Sequence, residues 1–210
     1  MEEADKRYAH AGAAAAGGAV RKQGERYLTL DEIRRIPWDH YPIFMYSDGG
    51  SLFGWLIRKV DDSAGSHLWT LVAPDCIANQ SITFCLVPVS KMAHYTTKLI
   101  HNPEFTPEQR KVMLESIFQR LELPWYRRLY DVVGLVGELL ERVGIRLNLG
   151  KFDFCSESVS RAVALVDPEF RAWLEQNPSP TPKEFNLYTK SHNPPWKVYG
   201  RYAPDDEGEA

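Results

Sequence analysis

Residues Lys151-Phe152-Asp153-Phe154-Cys155-Ser156-Glu157-Ser158-Val159 join a strand-like aromatic stretch to a helix, and the cysteine stands at the junction. Val159, Val163 and Val166 carry the helix on to Asp167-Pro168. A helix N-terminus presents unpaired backbone N–H groups and a partial positive charge, and both stabilise a thiolate. The same N–H groups can donate to the oxyanion that forms when a thiolate attacks a carbonyl. Glu157, in the first turn, suits the helix dipole. A free cysteine is also a common small packing residue. Chemistry at Cys155 therefore needs a base, and the base needs an orienting group.

The segment that offers a base is Gly65-Ser66-His67-Leu68-Trp69-Thr70-Leu71-Val72. Ser66–Val72 and Ile82–Val87 are rich in β-forming residues and read as strands, with Pro74–Gln80 holding a turn and the start of the second. Ile43-Phe44-Met45-Tyr46 reads as an earlier strand, ended by the turn-like Ser47-Asp48-Gly49-Gly50. Thr29-Leu30-Asp31-Glu32 has the form of a capping box and predicts a short helix stopping before Pro37. Leu52, Phe53, Leu56 and Ile57 predict another over 52–60.

Beyond the strands the pattern turns helical. Thr106-Pro107-Glu108-Gln109 combines an N-cap, a first-turn proline and a capping-box glutamine. Val112, Met113, Ile117, Phe118 and Leu121 follow on one face. Leu129–Val143 is a second amphipathic helix closed by Gly144. The Cys155 helix is the third. A short fourth carries Phe170 and Trp173 and ends at Pro178-Ser179-Pro180-Thr181-Pro182, and Pro194-Pro195-Trp196 marks an irregular segment. The class is α+β.

The 210 residues suffice for one domain with tails. Residues 1–26 are charged and then Ala/Gly-rich, and read as a flexible tail or a segment ordered only by a partner. The domain is expected over 27–200, with 201–210 an acidic C-terminal tail. At 44% hydrophobic and 25% charged, with net charge −3, the chain has the composition of a soluble globular protein and no broad attraction to nucleic acid. No stretch reaches membrane-spanning length. Ala11–Val20 lacks the apolar core of a signal peptide, so the default expectation is a cytoplasmic protein. Cys76, Cys85 and Cys155 form no C-x-x-C, which argues against a disulfide scaffold or structural zinc.

His67-Leu68-Trp69-Thr70-Leu71-Val72, followed much later by Phe154-Cys155-Ser156-Glu157-Ser158-Val159, resembles the circularly permuted branch of the papain-like NlpC/P60 superfamily, in which the base histidine precedes the cysteine. Tyr130-Asp131-Val132-Val133-Gly134-Leu135-Val136-Gly137 is similar to the helix that leads to that family's cysteine motif. Ser179-Pro180-Thr181-Pro182-Lys183-Glu184-Phe185 is similar to its closing segment, and the likeness spans roughly residues 42–190. The resemblance implies a small antiparallel sheet packed on the cysteine helix. It implies hydrolysis or transfer of an acyl group through a Cys155 thioester, with His67 as base and a polar orienting residue on the next strand. Asn79, twelve residues after His67, is favoured there; Asp75 and Gln80 are its rivals. Substrates would be peptide amides, including those of cell-wall peptides, or acyl esters, with no metal or organic cofactor.

Two other readings stand beside this one. A catalytically weak or inactive domain could serve as a structural or binding component of a larger assembly such as a phage particle, docked through the N-terminal tail and so virion-associated. A lipid acyltransferase is the third. Asp131 with Glu157 could form a carboxylate pair for glycoside chemistry. Trp125, Tyr126, Tyr130 and Trp69 could line a sugar or peptide groove, with core packing as the default. Cys76 and Cys85 read as packing residues.

Overall fold

The computed structural model describes residues 25–48, 67–80, 83–124 and 155–204. The expected helices over 52–60 and 129–143, together with Gly49, Gly50, Trp125, Tyr126, Tyr130 and Asp131, lie outside the described residues. In chain order the elements are α1 (Leu30–Arg34), a 3-10 turn (Trp38–His40), β1 (Ile43–Ser47), β2 (His67–Ala73), β3 (Cys76–Gln80) and β4 (Phe84–Val87). A second 3-10 turn (Val89–Met92), β5 (Thr97–His101), α2 (Pro107–Glu122), α3 (Cys155–Ala164), α4 (Pro168–Gln176), α5 (Pro182–Ser191) and β6 (Lys197–Tyr202) follow. The strands form one antiparallel sheet in the order β4-β3-β2-β1-β5-β6, so the class is α+β.

Local chemistry accounts for the helix starts. Thr29, Thr106 and Thr181 each accept from the backbone N–H three residues on, while Glu32, Gln109 and Glu184 reach back to the threonine N–H. Each capping box satisfies two backbone donors that the helix cannot. Pro107, Pro168 and Pro182 sit in first turns, where a missing N–H costs nothing.

Alternation along the strands then sorts side chains to two faces. Phe44, Leu68, Val72, Ala78, Phe84 and Ile100 pack with Met113 and Ile117 of α2, Val159, Ala162 and Val163 of α3, Phe170 of α4, and Phe185 and Tyr188 of α5. Ile43, Met45, Trp69, Leu71, Ile77 and Leu99 pack on the other face with Ile33 of α1, Ile36, Tyr41, Val89 and Met92. Each large apolar side chain buried this way contributes about 1.5–3 kcal/mol. A one-residue slip of register would exchange the two sets.

Several elements differ from the sequence expectation. Cys76–Gln80 is a strand of its own, paired to both β2 and β4, and not the beginning of the next one. β5, β6 and α5 were not anticipated. β5 is buried along its whole length, Lys98 and His101 included, so a polar-out rhythm was never there to be read. β6 runs through Tyr202, into the segment expected to be an acidic tail. Arg201 N–H donates to Arg26 O at 2.9 Å and its guanidinium meets Glu25, so the last two residues of the expected N-terminal tail lie against β6. Gly200 permits this approach: a Cβ there would stand 2.7 Å from Leu28 Cδ1.

One corner of the sheet is held by Arg110, which is buried and donates to three carbonyls, Phe105 O, His40 O and Asn102 O, at 2.7–3.0 Å. Beside it the His101 ring contacts His40 and Tyr199, with centroids 5.7 and 5.2 Å away. Burial, reinforced by His40, Arg110 and Lys197, pushes the His101 imidazole down to about 4 from its ordinary 6.5. The unfolded chain therefore takes up this proton before the folded one does. Stability from this site is complete above pH 6.5 and is lost as pH falls toward about 4. Thermal unfolding of wild type and His101→Gln from pH 7 to 4 should show a flatter acid limb in the variant. Parallel curves would remove His101 from the acid response.

Candidate active site

His67 is the first residue of β2, directly across from Ser47 of β1. After β2 the chain turns through Pro74 and Asp75, and β3 returns alongside with Thr70 opposite Ala78 and Leu71 opposite Ile77. That register brings Asn79 diagonally beside His67, and His67 Nε2 lies 2.8 Å from Asn79 Oδ1. A carbonyl oxygen only accepts, so Nε2 carries the proton and the lone pair of the neutral ring is on Nδ1. The imidazole is half-buried and Asn79 is buried.

The rivals for this position are elsewhere. Asp75 sits in the turn with φ 52°, where its Oδ1 accepts from Arg34 Nε at 3.0 Å and Val89 N–H at 3.2 Å. Gln80 is one residue from Asn79 and so faces the other side of the sheet, where its Oε1 accepts from Arg120 Nη2 at 3.3 Å.

Trp69 shares the face of His67. The two rings meet edge to face with centroids 5.1 Å apart. The indole Nε1–H donates to Ser47 Oγ at 2.8 Å, and both residues are buried. Trp69 is therefore a packing residue beside the histidine and does not line an open groove. Ser47 was read only as the start of a turn; its place across from His67 was the signal that a paired register would have supplied.

Cys155 is the first residue of α3. The direction of that helix follows from two contacts of α2. Gln109, in the first turn of α2, donates to Val166 O beyond the far end of α3, while Arg120, near the end of α2, donates to Gln80. In α3, Ser158 and Val159 border a small cavity with Leu68, Thr70, Gln80 and Ile117. α3 therefore runs antiparallel to α2 and opens at the end of the sheet where β2 begins and β3 ends. His67 and the start of α3 share that end. They do not share a face: α3 packs on the side of Leu68 and Val72, and alternation sends His67 and Trp69 to the opposite side.

The first turn of α3 is enclosed. Ser156, Glu157 and Ser158 are buried, and Glu157 pairs with Arg161 one turn on. That pairing gives Glu157 a structural partner, while Asp131 lies outside the described residues. Cys76 and Cys85 are half-buried strand residues, and burial, then Asp75, push the Cys76 thiol up. Among the described residues no three His, Cys, Asp or Glu side chains gather as a metal site, and no helix is long and apolar enough to cross a membrane. No protein-family model matches the chain, and no curated protein matches it.

Because Nε2 is committed to Asn79, the His67 ring should populate one tautomer. Imidazole 15N NMR should show Nε2–H dominant in wild type and a mixture in Asn79→Ala. Asp75→Ala and Gln80→Ala should leave the His67 signals in place, and a shift in either would mean that the orienting contact is misassigned.

Proposed function

We propose that the chain is a papain-like thiol hydrolase of the permuted NlpC/P60 type, acting on a peptide amide or acyl ester through Cys155. The observation that supports this reading is the His67–Asn79 hydrogen bond at the end of the sheet where α3 opens with Cys155. An amide oxygen on Nε2 leaves Nδ1 as the basic atom, the arrangement a general base requires. In the reaction, His67 Nδ1 takes the Cys155 proton and the thiolate adds to the substrate carbonyl. Backbone N–H groups at the start of α3 stabilise the oxyanion. The imidazolium then protonates the departing amine or alcohol as its bond to the carbonyl carbon breaks, leaving a thioester. Water, deprotonated by the same histidine, hydrolyses the thioester and regenerates the thiol.

One geometric condition attaches to this mechanism. By alternation His67 stands on the face of β2 opposite the one that α3 covers, so the mechanism calls for an approach around the end of the sheet where β2 begins. The same alternation favours a second reading, in which the domain keeps the fold and serves as a binding or structural component of a larger assembly.

Thiol alkylation separates the two. In a background with Cys76 and Cys85 replaced by Ala, a Cys155 coupled to His67 should react rapidly with iodoacetamide at pH 6, where an ordinary thiol near pKa ~8.5 is protonated. His67→Ala should lower that rate roughly ten- to hundredfold, and Cys155→Ser should abolish it with little change in Tm. If wild type and His67→Ala share the profile of a free thiol, the two residues are not a couple and the structural reading stands.

A further inference from the structure

The base in this scheme is held by more than Asn79. β1 and β2 place Ser47 and His67 as a direct cross-strand pair, with Trp69 two residues further along β2 and on the same face. The indole is held at two further points: its N–H is donated to Ser47 Oγ at 2.8 Å, and its ring meets Tyr95, ring centroids 5.7 Å apart. The indole so fixed stands at 84° to the imidazole. A ring wedged against a fixed wall has fewer χ2 settings, and the one that survives aims Nε2 at Asn79. The core alone gives little reason for a hydroxyl at position 47. A buried strand position on the same face of β1 as Ile43 and Met45 would accept an apolar residue, and a buried hydroxyl there gains its stability only through a hydrogen bond.

We propose that Ser47 and Trp69 are positioning residues for the proposed base, Ser47 acting through the indole to hold the His67 ring in the orientation that donates Nε2–H to Asn79. This rests on the reading of His67 as a catalytic base, yet it has a consequence in the ring itself that does not depend on turnover.

Four proteins are compared, all lacking Cys76 and Cys85: the parent, Ser47→Ala, Ser47→Thr and Trp69→Phe. The imidazole 15N signals of His67 report the tautomer, and iodoacetamide labelling of Cys155 from pH 5 to 9 reports the couple. Ser47→Ala is expected to mix the two tautomers and to slow labelling at pH 6 by roughly ten- to hundredfold, the scale on which small misplacements cost reactivity. Ser47→Thr keeps the acceptor oxygen and should restore both readouts. Trp69→Phe keeps a ring but loses the N–H, and should behave like Ser47→Ala. A merely structural role would lower Tm in Ser47→Ala while leaving tautomer and labelling profile unchanged, and that result overturns the proposal. Slow labelling in the parent would defeat the hydrolase reading by itself, and the tautomer data would still decide the positioning role.

Discussion

Side-chain alternation along β1 and β2 is the constraint from which the rest of the molecule follows. Phe44, Leu68 and Val72 go one way and are covered by α2, α3, α4 and α5; Met45, Trp69 and Leu71 go the other and are covered by α1 and the turns. The same rhythm carries polar groups inward. Lys98 of β5 lies opposite Tyr46 and is directed under α5, where its amine donates to Asn186. Burial, then Lys190 and Arg201, pull that amine down to about 8, so its charge is held by an amide oxygen where a carboxylate would be the cheaper partner. Strict register thus fixes both cores and sets how much polarity each must absorb.

The candidate site sits where that rhythm runs out. His67 is the last residue whose face β2 dictates, and α3 ends its cover of the sheet at the same place. A site at the edge of regular structure draws rigidity from the strands and access from the ends. Asn79 is held by its neighbours on β3 and Ser47 by those on β1, so the imidazole is approached from two strands at once. A surface histidine would not need such bracing.

What could be read from the chain follows the same physics. Thr29 and Thr106 announced their helices because a capping box is a local, contiguous signal. Thr181-Pro182-Lys183-Glu184 carries an equally clear one, and α5 went unread because the run of prolines before it looked like irregular chain. β5 was missed because two titratable residues, Lys98 and His101, are buried in it, and only tertiary contacts make that tolerable. Near His67 the interval to Asn79 is one that the family resemblance implies, and the turn through Pro74 and Asp75 is what returns the chain alongside itself. Parity then separates Asn79 from Gln80, but parity needs the register, and the register depends on where the turn falls. The side of the sheet that α3 occupies is likewise a tertiary fact, and no spacing within either segment contains it.

Leu28 N–H donates to Arg201 O at 2.7 Å, and Arg201 N–H donates to Arg26 O, so the strip at residues 26–28 is zipped to the last strand of the sheet. These partners are separated by nearly the whole length of the folded domain, a loop closure whose entropy is met only after everything between has condensed. On the ribosome the strip at 26–28 is made before β6 and waits for it. Until then β5 presents an open hydrogen-bonding edge. Molecules caught at that stage would be the ones exposed to strand exchange between chains, and a chaperone acting on this protein would have its task there.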